Sequence, residues 1–173
     1  MQGFLNPNEV LKQLNLTEEM TVADFGCGSG GWVVPLAKIL EGGRVYAIDI
    51  QEEPLSALRM KTNIDKLQNI KVIKADIEKP KGSTLYNSCC DLVLIANILF
   101  QSNNKKEILE EAQRVLKPGG KILVVDWKKD APLGPEEGRV MPEDVKNMAQ
   151  GLGLKFENEI EASSFHFGLV FTK

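Results

Sequence analysis

Apolar and polar positions along this chain switch between two periods, with short apolar runs alternating with stretches of helical spacing. Thr21–Phe25, Arg44–Asp49, Ile70–Lys74 and Asp91–Ala96 read as strands, and residues 31–40, 54–66 and 104–116 as helices between and after them. Residues 91–96 are almost entirely apolar, as a strand covered on both faces requires. In the helix after it, Ile108, Leu109, Ala112, Val115 and Leu116 recur at helical spacing. Asn6-Pro7 reads as an N-cap with proline at the first helical position, opening a short helix through Leu14. Lys117–Gly120 reads as a turn, Lys121–Asp126 as a fifth strand, and Pro142–Leu152 as the last helix, after a loop over Lys128–Met141. The closing strands, about 155–162 and 166–172, are joined by so few residues that they form an antiparallel hairpin. Such alternation predicts an α/β fold, a mostly parallel sheet with helices on both faces and one antiparallel strand from the hairpin. No repeat, linker or low-complexity tract interrupts residues 1–173, which read as one domain.

Composition narrows the function classes. The chain has 173 residues, 43% of them hydrophobic, and no apolar run approaches the length of a bilayer span. Met1–Pro7 has neither the basic region nor the apolar core of a signal peptide, so a cytoplasmic chain without a membrane partner is expected. A net charge of −3 and a pI near 5.3 argue against nucleic acid as partner. The lysines between Lys61 and Lys81 are interspersed with acidic residues, as on a solvated face. Three cysteines, with no Cys-x-x-Cys pair and a single histidine, suit free thiols in a reducing compartment and no zinc site.

Candidate chemistry begins where the first strand ends, in Asp24-Phe25-Gly26-Cys27-Gly28-Ser29-Gly30-Gly31. In open α/β sheets, ligands bind beyond the carboxyl ends of the strands. Glycines there allow a sharp bend and let a ligand approach the backbone. Asp49 ends the second strand about 20 residues beyond the bend, where a carboxylate suits ribose hydroxyls. Gly26, Gly28 and Gly31 also satisfy the dinucleotide fingerprint GxGxxG. Asp24 weighs against that reading, because a carboxylate beside the bend repels a pyrophosphate and attracts an ammonium or sulfonium.

Residues 22–30 resemble the first motif of the class I S-adenosylmethionine-dependent methyltransferases. Asp49, Lys74-Ala75-Asp76-Ile77, Asp91–Asn97 and Leu116–Lys121 resemble the later motifs in the expected order. The resemblance is closest to the branch with quinone C-methyltransferases and arsenite methyltransferases. It implies a Rossmann-like seven-stranded sheet of order 3-2-1-4-5-7-6 with strand 7 antiparallel. It implies S-adenosylmethionine as cofactor. Gly26, Gly28 and Gly30 would pass its methionine part and Asp24 would organise its ammonium. Asp49 with its neighbour Ile50 would take the ribose, Asp76 with Ile77 the adenine, and Asn97 the sulfonium region.

The acceptor side is read from topology. The fifth strand and the hairpin bring Asp126-Trp127 and His166 to the same sheet edge as the glycine bend. His166 has the side chain suited to proton exchange near neutrality, and Asp126 could accept a proton, so both are candidate catalytic residues. Trp127 could cover an apolar acceptor, Phe100-Gln101 could line its site, and Arg139 is read as solvated or facing an anionic acceptor. No Pro-Pro-Tyr follows Asn97, which weakens nucleobase or glutamine amide methylation. Cys89-Cys90 starts a strand, away from that edge, and Cys27 lies inside the bend, which disfavours arsenite. A small-molecule acceptor is expected. Only the segment around Phe4 and the 128–141 loop could act as lids, so the site is open to bulky acceptors or closed by a second subunit of a homo-oligomer. The other readings are an idle cofactor-binding partner subunit and a protein or RNA methyltransferase.

Overall fold

The computed structural model describes residues 3–173; Met1 and Gln2, part of the stretch read above for a signal, lie outside the described residues. The chain runs α1 (Pro7–Leu11), β1 (Thr21–Phe25), α2 (Val33–Ile39), β2 (Arg44–Asp49), α3 (Glu52–Ile64), β3 (Ile70–Lys74) and β4 (Cys90–Ala96). A short 3₁₀ turn (Leu99–Gln101) then leads to α4 (Lys105–Val115), β5 (Leu116–Trp127), α5 (Pro142–Gly151), β6 (Lys155–Glu161) and β7 (His166–Thr172). The strands form one sheet of order β3-β2-β1-β4-β5-β7-β6. β1 to β5 pair in parallel and β7 runs antiparallel to both neighbours. Both the order and the antiparallel strand match what the motifs imply.

The sheet separates two apolar layers. Val10 and Leu11 of α1, Val33 and Leu36 of α2 and Leu55 and Leu58 of α3 cover one face. Ile108, Leu109 and Ala112 of α4 with Val145 and Ala149 of α5 cover the other. β4 and β5 lie between both layers, which is why their sequences are apolar runs without alternation. Burying one such leucine contributes roughly 2 kcal/mol.

Differences from the expected elements are local. α1 stops at Leu11 rather than Leu14, and the turn at Leu99–Gln101 was not anticipated. Lys117–Gly120 is a bulge within β5 rather than a separate turn: Leu116 pairs with Cys90, and pairing resumes at Lys121 with Leu92. Pro118 has no N–H for the ladder and Gly119 takes φ +77°, so these residues loop out and the strand continues. Lys173 ties the bulge down, accepting from Gly119 N–H at 3.1 Å and donating to Gly120 O at 3.0 Å.

The long connection before β4 is anchored by a buried carboxylate. Glu111 of α4 accepts from Ser83 N–H at 2.9 Å and pairs with Arg114 at 2.7 Å. Burial works against its charge, but the bonds from Arg114 and Ser83 outweigh it and hold the carboxyl below its usual range.

Candidate functional site

The C-terminal edge of the parallel strands is where the chain leaves polar atoms unsatisfied. Among the described residues, three buried side-chain atoms have no hydrogen-bond partner: Asp24 Oδ2, Asn97 Oδ1 and His166 Nε2. They belong to the end of β1, the residue after β4 and the first residue of β7, so all three fall on one sheet edge. Buried polar groups are normally paired, and a row of unpaired ones marks where something else supplies the partner.

β1 ends in a bend that only glycine fits in places. Gly26 N–H and Cys27 N–H both donate to Ile48 O, at 2.8 and 3.0 Å, so the bend is pinned to β2. Gly26 lies at φ +74°, and a Cβ there would come within 2.1 Å of the Ile98 side chain. Gly30, at φ +87°, lies against α3, where a Cβ would meet Leu58 at 2.4 Å. Gly28 differs: its φ is +52°, and a Cβ there would project into open space. That space belongs to a cleft of about 500 Å³ lined by Gly26, Gly28, Asp49, Ile50, Asp76 and Ile77, with Ile98 and Gln101 across from them. Drug-sized ligands occupy clefts of this size.

The carboxylates at this edge have distinct environments: Asp49 and Asp76 line the cleft, and Asp24 does not. Asp24 is buried and its carboxyl is pushed up to about 8, first by loss of water and then by the nearby Asp49. Asp49 is braced, accepting from Gly28 N–H through Oδ2 and Gln51 N–H through Oδ1, each at 2.9 Å. Asp76 accepts from Glu78 N–H at 3.1 Å and pairs with exposed Lys79 at 3.2 Å. Asn97 adopts φ +55°, a left-handed conformation that asparagine tolerates. Gln101 donates to its carbonyl at 3.0 Å. The Cys27 thiol is pushed up by burial and by both neighbouring aspartates, so it stays protonated and inert.

These residues fit a ligand with a cationic head. A buried carboxylate that resists ionisation for want of a counter-charge, beside a bare backbone bend, favours an ammonium and disfavours a phosphate. A second cleft of about 270 Å³ lies at the opposite sheet edge, but its Asp91 and Lys117 already satisfy each other at 2.8 and 2.9 Å.

A model of a family described as a methyltransferase domain matches residues 16–163. The chain belongs to this methyltransferase domain family. The chain is 32% identical to a SAM-dependent methyltransferase from Aquifex aeolicus, covering 97% of this chain and 89% of that one, with a TM-score of 0.86. It is 26% identical over 135 residues to a demethylmenaquinone methyltransferase of Bacillus mycoides, over 77% of this chain and 55% of the relative. The chain thus spans about half the length of the curated relatives it matches. A [4+2]-cyclase, SpnF, shares the fold at a TM-score of 0.84 and 14% identity over 96% of this chain and 79% of that one. The fold is the Rossmann-like one of the class I, S-adenosylmethionine-dependent methyltransferases.

On the acceptor side, the fold itself bonds both residues read for proton transfer. Asp126 is buried, with Oδ2 accepting from Leu99 N–H at 3.0 Å and Phe100 N–H at 3.4 Å, and Oδ1 accepting from Trp127 N–H at 2.8 Å. Burial pushes its carboxyl up to about 6, against the pull of those bonds. It caps the turn at Leu99–Gln101. His166 is also buried, its Nδ1 lies 2.9 Å from Ser163 Oγ, and burial with help from Lys128 lowers it to about 4. A histidine so placed is neutral near pH 7.

Trp127 is half-buried between two neighbours. Its ring centroid is 4.0 Å from that of His166, and a Cβ on Gly134 would come within 2.5 Å of its indole. Arg139 is neither solvated nor aimed at an anion; its guanidinium donates to the carbonyls of Lys128, Lys129, Ala131, Leu133 and Pro135 in its own loop. Sequence reasoning missed Ser163, Ile98 and Pro54. The Ser163-Ser164-Phe165-His166 turn is the one signal that could have revealed the first, since a serine hydroxyl readily accepts from N–H groups two and three residues on.

Proposed function

We propose that the chain forms one S-adenosylmethionine-binding domain, acts in the cytoplasm, and methylates a small molecule. The observation that carries this reading is the buried, unpartnered Asp24 Oδ2 on the strand that leads into the bend, where Gly28 opens onto the cleft. Asp24 and Asn97 would take the cofactor's methionine ammonium and the region near its sulfonium. Gly26, Gly28 and Gly30 would give the methionine part a smooth wall, Asp49 with Ile50 the ribose contacts, and Asp76 with Ile77 the adenine contacts. Both Asp49 oxygens retain a lone pair for a hydroxyl donor after bonding the backbone. The bound cofactor supplies an already electrophilic methyl group, so the protein's share is to position the acceptor and exclude water.

A small acceptor suits the quinone methyltransferase names among the relatives. No helix of the described residues is long and apolar enough to cross a membrane, and three free thiols suit a reducing compartment. A second reading, a cofactor-binding subunit without transfer activity, draws on the observation that Asp126 and His166 are both engaged by the fold.

Thermal unfolding with S-adenosylmethionine, S-adenosylhomocysteine and NAD compared tests the cofactor. Ligand at ~100 times its Kd adds about 2.7 kcal/mol, roughly 5–10 °C for a domain of this size. A rise with NAD alone sinks the reading. Transfer of labelled methyl groups into a small-metabolite extract, with protein and RNA fractions in parallel, separates the acceptor classes. Cofactor binding without transfer into any fraction favours the second reading.

A further inference from the structure

His166 is a hydrogen-bond donor without an acceptor, and the tautomer follows from counting. Ser163 Oγ accepts from Phe165 N–H and His166 N–H, each at 3.1 Å, which uses both of its lone pairs. Its own proton is then left for the one remaining neighbour, His166 Nδ1 at 2.9 Å. Nδ1 is therefore an acceptor, and in a neutral imidazole the proton must sit on Nε2. That Nε2–H is buried and has no partner.

The surroundings say what the missing partner is. His166 lines a cleft of about 270 Å³ with Lys128, Ser163 and Ser164; Glu159 and Glu161 also lie on its wall, and Glu159 is paired with Lys146 at 2.9 Å. Lys128 Nζ is held at its rim by the carbonyls of Ser163 at 3.1 Å and Ser164 at 3.3 Å. A donor and a fixed cation together favour an anionic oxygen. Aromatic rings lie nearby, though outside the cleft lining: the Trp127 ring is 4.0 Å from the imidazole, and Phe4 and Phe165 sit 5.9 Å apart where Gly3 and Ser164 bond to each other.

We propose that His166 Nε2–H, with Lys128 beside it, binds an anionic oxygen carried on the apolar body of the methyl acceptor. This rests on the methyltransferase reading of the site. His166 then acts in recognition, as a donor, and the acceptor arrives with its charge already formed.

The chain has a single histidine, so nitrogen NMR of histidine-labelled protein reads this ring without assignment. The expected result is a proton on Nε2 and none on Nδ1. With S-adenosylhomocysteine present at pH 8, 4-nitrophenolate or benzoate shifts the Nε2–H resonance, and nitrobenzene does not; whichever anion acts distinguishes a phenolate from a carboxylate acceptor. His166→Phe, which keeps a ring against Trp127, weakens the effective anion about tenfold or more, and His166→Gln restores part of that. A proton on Nδ1, silence with both anions, or an equal response to nitrobenzene overturns the proposal. The tautomer is read on the unaltered protein, so an unstable variant does not remove the test. Failure to bind S-adenosylhomocysteine, seen separately by thermal shift, strikes the methyltransferase reading instead.

Discussion

Gly28 donates its amide to Asp49 Oδ2 at 2.9 Å, so the carboxylate that ends β2 braces the bend that ends β1. The same carboxylate takes Gln51 N–H and so shapes the entry to α3, and its charge helps to keep Asp24 protonated. One side chain thus links the bend, the helix entry and the ionisation of the buried carboxyl.

Cofactor affinity is expected to depend on pH through Asp24. Its carboxyl, pushed up to about 8, is protonated at neutral pH in the folded chain but ionised in the unfolded one. Its contribution to stability is full below the ordinary carboxylate range and is lost as pH rises through about 8. A cationic ligand needs the ionised form, so affinity should strengthen between pH 6 and 8, by at most about tenfold per unit. Above that, the ligand's own α-amino group, with a pKa of about 8, gives up its proton and affinity falls again. Calorimetry across this range, in buffers of different ionisation enthalpy, should show proton release on binding. Asp24→Asn should weaken binding and flatten the rising limb; an unchanged profile would rule out Asp24 as the group responsible.

Two glycines of the bend should respond differently to alanine. At Gly30 the added methyl meets Leu58 at 2.4 Å, so Gly30→Ala should lower stability by about 1–3 kcal/mol through crowding. At Gly28 the methyl enters open space, at a φ that costs roughly 1–2 kcal/mol, and it occupies the cofactor's wall. Gly28→Ala should therefore weaken S-adenosylmethionine far more than its effect on the melting temperature suggests. Equal losses of affinity at matched stability would contradict the assignment of Gly28 to the wall.

The order of strands and the glycine bend were legible because each has a local signature: apolar runs for β4 and β5, and glycines at fixed offsets after β1. The acceptor edge was not. Asp126, His166 and Arg139 were correctly placed on that side by topology, yet a sequence does not show which partner claims a polar side chain. Asp126 is claimed by amides 26 and 27 residues away, and Arg139 by carbonyls of its own loop. His166 was read for its usual pKa, and burial lowers it.

Asp126→Asn separates capping from proton transfer. The carboxylate takes three backbone N–H groups, and an amide in its place turns a donor toward some of them. Loss of about 1–3 kcal/mol is expected, seen as a lower melting temperature. The burial-raised carboxyl, at about 6, favours the folded state most below the ordinary carboxylate range and loses that contribution as pH rises through 6. Removing a general base costs about 10²–10⁴-fold in rate. Assayed well below the melting temperature, Asp126→Asn should stay above that range, and a loss within it would return Asp126 to the catalytic residues.

Arg139 offers the last test, because its loop packs against Trp127 and Phe100, on the side proposed for the acceptor. Gly134 lies against the Trp127 ring, and Gly138 approaches the Phe100 carbonyl so closely that a Cβ would be 1.9 Å from it. A loop with this few apolar contacts would open readily if its carbonyls were satisfied by water. The guanidinium gathers them instead, at 2.6 to 3.1 Å. Arg139→Ala should speed hydrogen exchange across 128–139 about tenfold or more, and leave S-adenosylmethionine affinity within about threefold. Acceptor KM should rise while kcat changes less, since the loop frames the acceptor and not the cofactor. Arg139→Lys should not rescue it, because an ammonium has three donors where the planar fork has five. Unchanged exchange in Arg139→Ala would mean that Trp127 and Phe100 hold the loop without the arginine.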